Sequence, residues 1–381
     1  MNSGKVRGYE QLNAGVTGEA VLEAIRRSGY PLQAEISNSL ARQFTDLDLP
    51  AKIQEEWAYL DKETDSVRAL DVFAEIYLND STESGCARSA FSPQLHMLIE
   101  CKQSELPYVF FLRGTPPGTD AEFPELIGVE PDIKMFGRVE NPDMPSDYSI
   151  LMSTYDALAF HEFTIFDAPP FYAISLSKTA RKGGSKLELT GEEAYRSLTL
   201  PLLKAADHLK KIIEGEEEKN GRSYCSFIAP IAVVDAPMIG VLLHEGRHLM
   251  VSLPWVRMSY LEPGSKRAAW GRTQSRVRHY DVVHKDFLEQ YTRTLTHGVR
   301  SAAIRLEENS TVVKSGLGVF PEGEDYAIIP ELEDWRLEYS DLEPIGRVGR
   351  QPSGSGITFD GGSSQCDESA ILNIRVGESY E

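Results

Sequence analysis

The sequence predicts an α/β domain. Three observations carry this: two strands with clear period-two alternation at 68–78 and 94–104, amphipathic helical stretches on either side of them, and a continuous apolar run at 224–236 suited to a strand covered on both faces. A chain of 381 residues can bury a large core, as one large domain or two ordinary ones. With 41 % hydrophobic and 25 % charged residues, its composition is that of a folded protein.

The elements follow in order. In "TGEAVLEAIRRSGYPLQAEISNSLARQF" (17–44), Leu22 and Ile25 carry a first helix that Gly29 stops, and Pro31 starts a second. Ile36, Leu40 and Phe44 form the buried stripe of that second helix, with Glu35 at its edge. "IQEEWAYLDK" (53–62) is a strand ending in a turn. In "RALDVFAEIYL" (68–78), Leu70, Val72, Ala74 and Ile76 share one face, while Asp71, Phe73 and Glu75 take the other. In "QLHMLIECKQS" (94–104), Leu95, Met97, Ile99 and Cys101 share a face opposite His96, Leu98, Glu100 and Lys102. Residues 105–170 are Pro-rich and read as a large insertion, a candidate gate or protein-binding element. Thr190 and Glu193 form a capping box that opens 190–221, which reads as one amphipathic helix or as a pair broken near Pro201. The strand at 224–236 follows, and "HKDFLEQYTRTLTHGVRSAAIRLEE" (284–308) is the last helix. The chain thus divides into a domain over 1–310 and an appendage over 311–381, acidic and then low in complexity.

Charge and cysteine usage narrow the classes. No apolar leader opens the chain, and no stretch approaches the roughly 18–20 apolar residues of a membrane helix. Cys86, Cys101, Cys225 and Cys366 lie far apart, which argues against a Cys-rich zinc site or a disulfide framework. A cytoplasmic, reduced protein without a membrane role is the expectation. The net charge of −19 opposes nucleic-acid binding by charge alone, yet it is uneven. "SKTARKGGSK" (177–186) holds Lys178, Arg181, Lys182 and Lys186 with no acid. The stretch 255–280 holds Arg257, Lys266, Arg267, Arg272, Arg276 and Arg278 against Glu262 alone. Each run is either a solvated loop or a local phosphate-contacting face.

"VLLHEGRHLM" (241–250) contains His-Glu-x-x-His, the helical spacing with which His244 and His248 would hold zinc and Glu245 would act as base. Gly240 and Gly246 each cost about 1 kcal/mol in a helix interior, and the flanks read equally well as strands. A hairpin turning at "HEGR" is the better expectation, with a zinc hydrolase the lesser one.

Asp71, Glu100 and Lys102 make the stronger case for chemistry. If the two alternating strands pair with both apolar rows on the N-terminal helix, these three converge on the other face. Two carboxylates suit Mg²⁺ or Mn²⁺, and a lysine beside them can hold or deprotonate an attacking water. The plain alternative is an exposed cross-strand ion pair worth under about 1 kcal/mol. Against it, the charges end an otherwise apolar strand, "LHMLIECK".

The helix with Glu35, the strand with Asp71 and the strand with Glu100–Cys101–Lys102 together resemble the PD-(D/E)XK nuclease superfamily. The likeness runs over roughly 18–104 and more loosely to 236. The resemblance implies a restriction-endonuclease-like core, a mixed central sheet flanked by helices. It also implies Mg²⁺-dependent hydrolysis of nucleic acid, DNA before RNA, and bacterial antiviral defence as a setting. Asp71 and Glu100 would be metal ligands, joined by the Cys101 carbonyl; Lys102 would be the catalytic lysine and Glu35 an additional acid. Lys178, Arg181, Lys182, Arg272, Arg276 and Arg278 would hold the nucleic-acid backbone. Leu70 stands where many members carry proline, and 105–170 has no counterpart in the minimal fold. A homodimer is open, as is a catalytically silent protein that uses the fold for binding or assembly.

Overall fold

The computed structural model describes residues 15–62, 64–78, 93–113, 122–139, 146–166, 172–183, 185–220, 225–244, 247–262 and 276–319. The appendage from 320 onward, the link 79–92 and most of the basic run at 263–275 lie outside them.

The chain opens with α1 (Gly18–Arg27) and α2 (Tyr30–Asp46), separated at Gly29, with Pro31 in the first turn of α2. Three strands follow: β1 (Ala51–Asp61), β2 (Ser66–Tyr77) and β3 (Gln94–Gln103). Then come β4 (Tyr108–Arg113), β5 (Glu125–Ile127), β6 (Asp132–Val139), β7 (Ser146–Ser153) and the single turn α3 (Thr154–Ala157). After them lie β8 (Tyr172–Arg181), β9 (Leu187–Thr190), α4 (Gly191–Ala194), a π-helical turn and α5 (Leu200–Asn220). The remainder is β10 (Ser226–Asp235), β11 (Met238–His244), β12 (Arg247–Ser252), β13 (Trp255–Glu262), β14 (Arg276–His284), α6 (Leu288–Glu308), α7 (Ser310–Ser315) and β15 (Leu317–Val319).

Among the described residues, twelve strands join one large mixed sheet whose main path is β1-β2-β3-β10-β14-β13-β8-β4-β11-β12. β1, β2 and β3 are antiparallel; β3 and β10 are parallel. β10 is the most buried strand because it has a parallel neighbour on each side and helices over both faces. Its Pro230 falls where β10 changes its second partner, from β5 at 226–228 to β14 at 231–234, so the missing N–H interrupts no ladder on that side. β3 continues through 104–107 into β4, and β10 through 236–237 into β11, which pair in turn. With β14, β13 and β8 spanning from β10 to β4, the sheet curls around α5.

Two cores result. Leu32, Ile36, Leu40 and Phe44 of α2 pack with Val72, Ala74 and Ile76 of β2, Leu95, Met97, Ile99 and Cys101 of β3, and the apolar side of α6. On the concave side, Leu198, Leu202, Ala206 and Leu209 meet Leu98, Tyr108, Ile228, Ala232 and Tyr280. A small sheet, β15-β6-β7, joins the first core.

Some elements depart from expectation. The stretch 105–170 is not simply an insertion, since its "YVFFLR" is β4, a strand inside the main sheet. The short apolar run is masked in sequence by its Pro-rich surroundings. α1 buries none of its residues, and Leu22 and Ile25 stand about half exposed. Thr190 is the N-cap of α4, but its hydroxyl donates to the Lys178 carbonyl instead of capping. "HEGRH" is a ribbon: β11 and β12 pair from Ile239↔Ser252 to His244↔Arg247, with residues 245–246 outside the described set. His248 pairs with Leu243, so His244 and His248 take register positions on opposite faces, and the helical HExxH geometry is not formed.

Candidate active site

The site is a fork between β2 and β3. Their ladder runs from Tyr77↔Gln94 to Val72↔Ile99 and stops; the next register position would set Asp71 opposite Glu100. There the Asp71 carboxylate accepts the Cys101 backbone N–H at 2.6 Å, replacing a ladder bond with a side chain. On the other side, β1 and β2 stay in register but skip the pair Glu56/Asp71, where Glu56 has φ of 53°. Glu56, Asp71 and Glu100 thus occupy one cross-strand row over three neighbouring strands.

The interruption redirects the hairpin. Before it, Ile53 of β1 and Val72 of β2 contribute to the α2 core; beyond it, Trp57, Tyr59 and Leu70, of the same parity, contribute to the α5 core. The distal half of the β1–β2 hairpin therefore leaves β3 and closes over α5. Asp61 pairs there with Lys204 of α5 at 3.5 Å and with Arg68 at 3.1 Å. The ring of His208 on α5 lies 5.7 Å from Trp57 and 6.4 Å from Tyr59.

Glu100 and Lys102 project from β3 on the face of Leu98, away from α2. Lys102 Nζ lies 2.5 Å from Glu100 Oε1, 3.7 Å from Asp71 Oδ2 and 3.2 Å from the Cys101 carbonyl oxygen. Glu100 is only 6 % exposed. Its other oxygen, Oε2, is buried with no hydrogen-bond partner among the described residues. Burial pushes its pKa up to about 7; Lys102 pulls it down and Asp71 adds to the rise. For Lys102, burial works against the ammonium, but Glu100 and Asp71 outweigh it and leave its pKa raised. Lys102 is thus a firmly protonated donor. The Cys101 side chain turns into the α2 core, where burial pushes its thiol pKa far up, so only its carbonyl belongs to the fork.

A free buried carboxylate oxygen, a second carboxylate from the neighbouring strand and a backbone carbonyl are the hard-oxygen set a Mg²⁺ or Mn²⁺ ion takes. The residues present fit such an ion. Among the described residues no three His, Cys, Asp or Glu side chains gather as a fuller cage. Glu35 is exposed on α2, whose buried side packs on the sheet face opposite Glu100, so the structure does not bring it to the fork.

The expected cations divide. Lys178 pairs with Glu193 at 2.8 Å, stands opposite Tyr108 in the β4–β8 ladder, and lies within electrostatic reach of Lys102. Arg181 is exposed, as is Lys182, which bonds Glu188 at 2.8 Å. Arg272 lies outside the described residues, and Arg276 opens β14 with its side chain likewise outside them. Arg278 is a correction: its side chain is 1 % exposed, with Nε 3.0 Å from Glu125 and Nη1 2.8 Å from Asp207. It neutralises carboxylates between the sheet and α5 and does not face a phosphate. Arg257, from the same basic run, is buried against Asp281.

Sequence reasoning passed over Tyr59 and Tyr108, both buried and both within electrostatic reach of the trio. The alternation of Trp57, Tyr59 and Asp61 was the available signal, but it does not say which core the face meets. No family model, no curated protein and no solved structure matches the chain. No helix among the described residues is long and apolar enough to cross a membrane.

Proposed function

We propose that the chain is a divalent-metal-dependent nuclease of PD-(D/E)XK type, with a restriction-endonuclease-like core formed by α2, β1, β2, β3, α5 and β10. The observation that carries the reading is the fork: Asp71 in place of a ladder bond, with Glu100 desolvated and the half-buried Lys102 beside it. A solvated ion pair would not bury a carboxylate oxygen without a partner, because that costs about 1–3 kcal/mol. A site that takes a cation offsets the cost when loaded.

Asp71, Glu100 and the Cys101 carbonyl would hold Mg²⁺ or Mn²⁺. Such an ion supplies charge stabilisation at a phosphoryl group and acidifies water. Lys102, protonated, donates toward the water or the phosphoryl oxygens and orients them; its raised pKa favours this over acting as a base in the resting state. Lys178, Arg181 and Lys182 on the β8–β9 hairpin supply backbone contacts beside the fork. The substrate is nucleic acid, DNA before RNA. The test is Mg²⁺- or Mn²⁺-dependent cleavage of linear and circular DNA and of RNA by wild type, Lys102→Ala and Glu100→Gln. Cleavage lost in both variants supports the reading. Binding without cleavage under either metal would replace it with a nuclease-like binding protein.

A further inference from the structure

Tyr59 is 2 % exposed, and its hydroxyl is buried with no hydrogen-bond partner among the described residues. Its ring is held on the distal half of the hairpin by the Trp57 ring at 6.3 Å and the His208 ring at 6.4 Å. The anchors Arg68–Asp61 and Lys204–Asp61 fix the strand segment that carries it. Because the hairpin changes cores at Glu56 and Asp71, this segment roofs the face from which Glu100 projects. Burial and then the Glu100 charge raise the phenol's pKa to about 12, so the two groups are electrostatic neighbours and the hydroxyl keeps its proton. A buried O–H donor and a buried carboxylate oxygen, each without a partner among the described residues, thus lie on the same side of the sheet, the side packed on α5. Buried polar groups are nearly always satisfied. Two complementary orphans on facing elements point to a ligand between them.

We propose that Tyr59 is a positioning residue of the fork: its hydroxyl donates to the oxygen shell of a divalent cation seated on Glu100 and so fixes that seat. The inference rests on the metal-dependent reading above and adds a residue to it. A tyrosine that only fills space between hairpin and α5 would lose nothing when its hydroxyl is removed.

The test uses the full chain at pH 8, with Mn²⁺ binding followed by calorimetry and by the electron paramagnetic signal of free Mn²⁺. Wild type, Tyr59→Phe and Glu100→Gln are compared, together with urea midpoints in chelator. Expected are saturable Mn²⁺ binding by wild type, its loss in Glu100→Gln, and binding weakened about tenfold or more in Tyr59→Phe, the usual scale for a group that orients metal ligands. The metal-free midpoint of Tyr59→Phe should equal or exceed that of wild type, since the hydroxyl has no partner among the described residues to lose. Wild-type affinity in Tyr59→Phe overturns the inference alone. A lowered metal-free midpoint also overturns it, because the hydroxyl then serves the protein fold itself. Wild type binding Mn²⁺ no better than Glu100→Gln overturns the metal reading and the role of Tyr59 with it.

Discussion

Glu100→Gln should stabilise the metal-free protein at high pH and leave it nearly unchanged at low pH. The Glu100 carboxyl has a pKa of about 7 in the folded state against 4.5 as the ordinary value. A group that binds its proton more tightly folded than unfolded makes stability fall as pH rises from the unfolded to the folded pKa. Below 4.5 both states are protonated and the contribution is intact; above about 7 it is gone. The gap corresponds to about 3 kcal/mol, at about 1.4 kcal/mol for each tenfold change in proton affinity. Glutamine occupies the same space and does not titrate, so the difference between variant and wild type isolates this one group. Urea unfolding in chelator at intervals from pH 4.5 to 8 measures it, and the variant should gain on wild type by about that amount across the window. Adding Mg²⁺ at pH 8 to about a thousand times its Kd should then reverse the order, because a cation bound to the native state stabilises by about 4.1 kcal/mol at that excess. A difference flat with pH, or one in which the variant loses ground as pH rises, would refute the claim that Glu100 is a desolvated carboxylate awaiting a counter-charge.

Removing Arg278 should act on stability and not on nucleic-acid affinity: Arg278→Met takes one partner from Glu125, which keeps Lys210, and the charge-assisted bond to Asp207, and should cost about 1.5–3 kcal/mol in urea unfolding. Lys182→Ala should do the opposite, leaving the free energy of urea unfolding within about 0.5 kcal/mol of wild type while reducing the slope of log affinity against log salt by about 1. His248→Ala should change neither metal content, read by mass spectrometry, nor cleavage, because His248 is exposed on a ribbon and not on a zinc-binding helix.

The antiparallel strands were legible because period-two alternation is a local property: Val72, Ala74 and Ile76 and the row from Leu95 to Cys101 meet α2 as their spacing requires. Leu70 obeys the same alternation and nonetheless joins the other core. What separates it is the interruption at Glu56 and Asp71, a left-handed φ within a strand and a side chain inserted into a ladder, and neither follows from residue type. The same limit applies to cations. Arg278 and Lys182 are indistinguishable as members of basic runs, yet one is enclosed by carboxylates brought from positions 125 and 207, and the other stays at the surface. Long-range partners decide burial, and a run of charges does not encode them.

That division bears on how a chain of net charge −19 could meet a polyanion. At physiological salt, exposed charges act over a Debye length of about 8 Å, so distant acids matter less than cations beside the fork. Arg257 and Arg278 are committed to internal carboxylates and contribute nothing there. Lys178 is paired with Glu193, and the β8–β9 hairpin extends beyond it with Arg181 and Lys182. Each of these lysines is tethered by a single glutamate, an exposed pair worth under about 1 kcal/mol, so a phosphate can replace the glutamate at little cost. Glu100 differs in kind: its carboxylate is desolvated, and Lys102 satisfies only one of its oxygens. A fork that holds a cation at Glu100 also lowers the local negative potential at the point where, on the proposed nuclease reading, a phosphodiester would approach. On this arrangement metal binding and substrate binding are coupled, and DNA affinity should rise with Mn²⁺ in wild type but not in Glu100→Gln, measured by fluorescence anisotropy at fixed ionic strength. Equal affinities with and without the metal would break the coupling and leave the hairpin cations as the sole attraction.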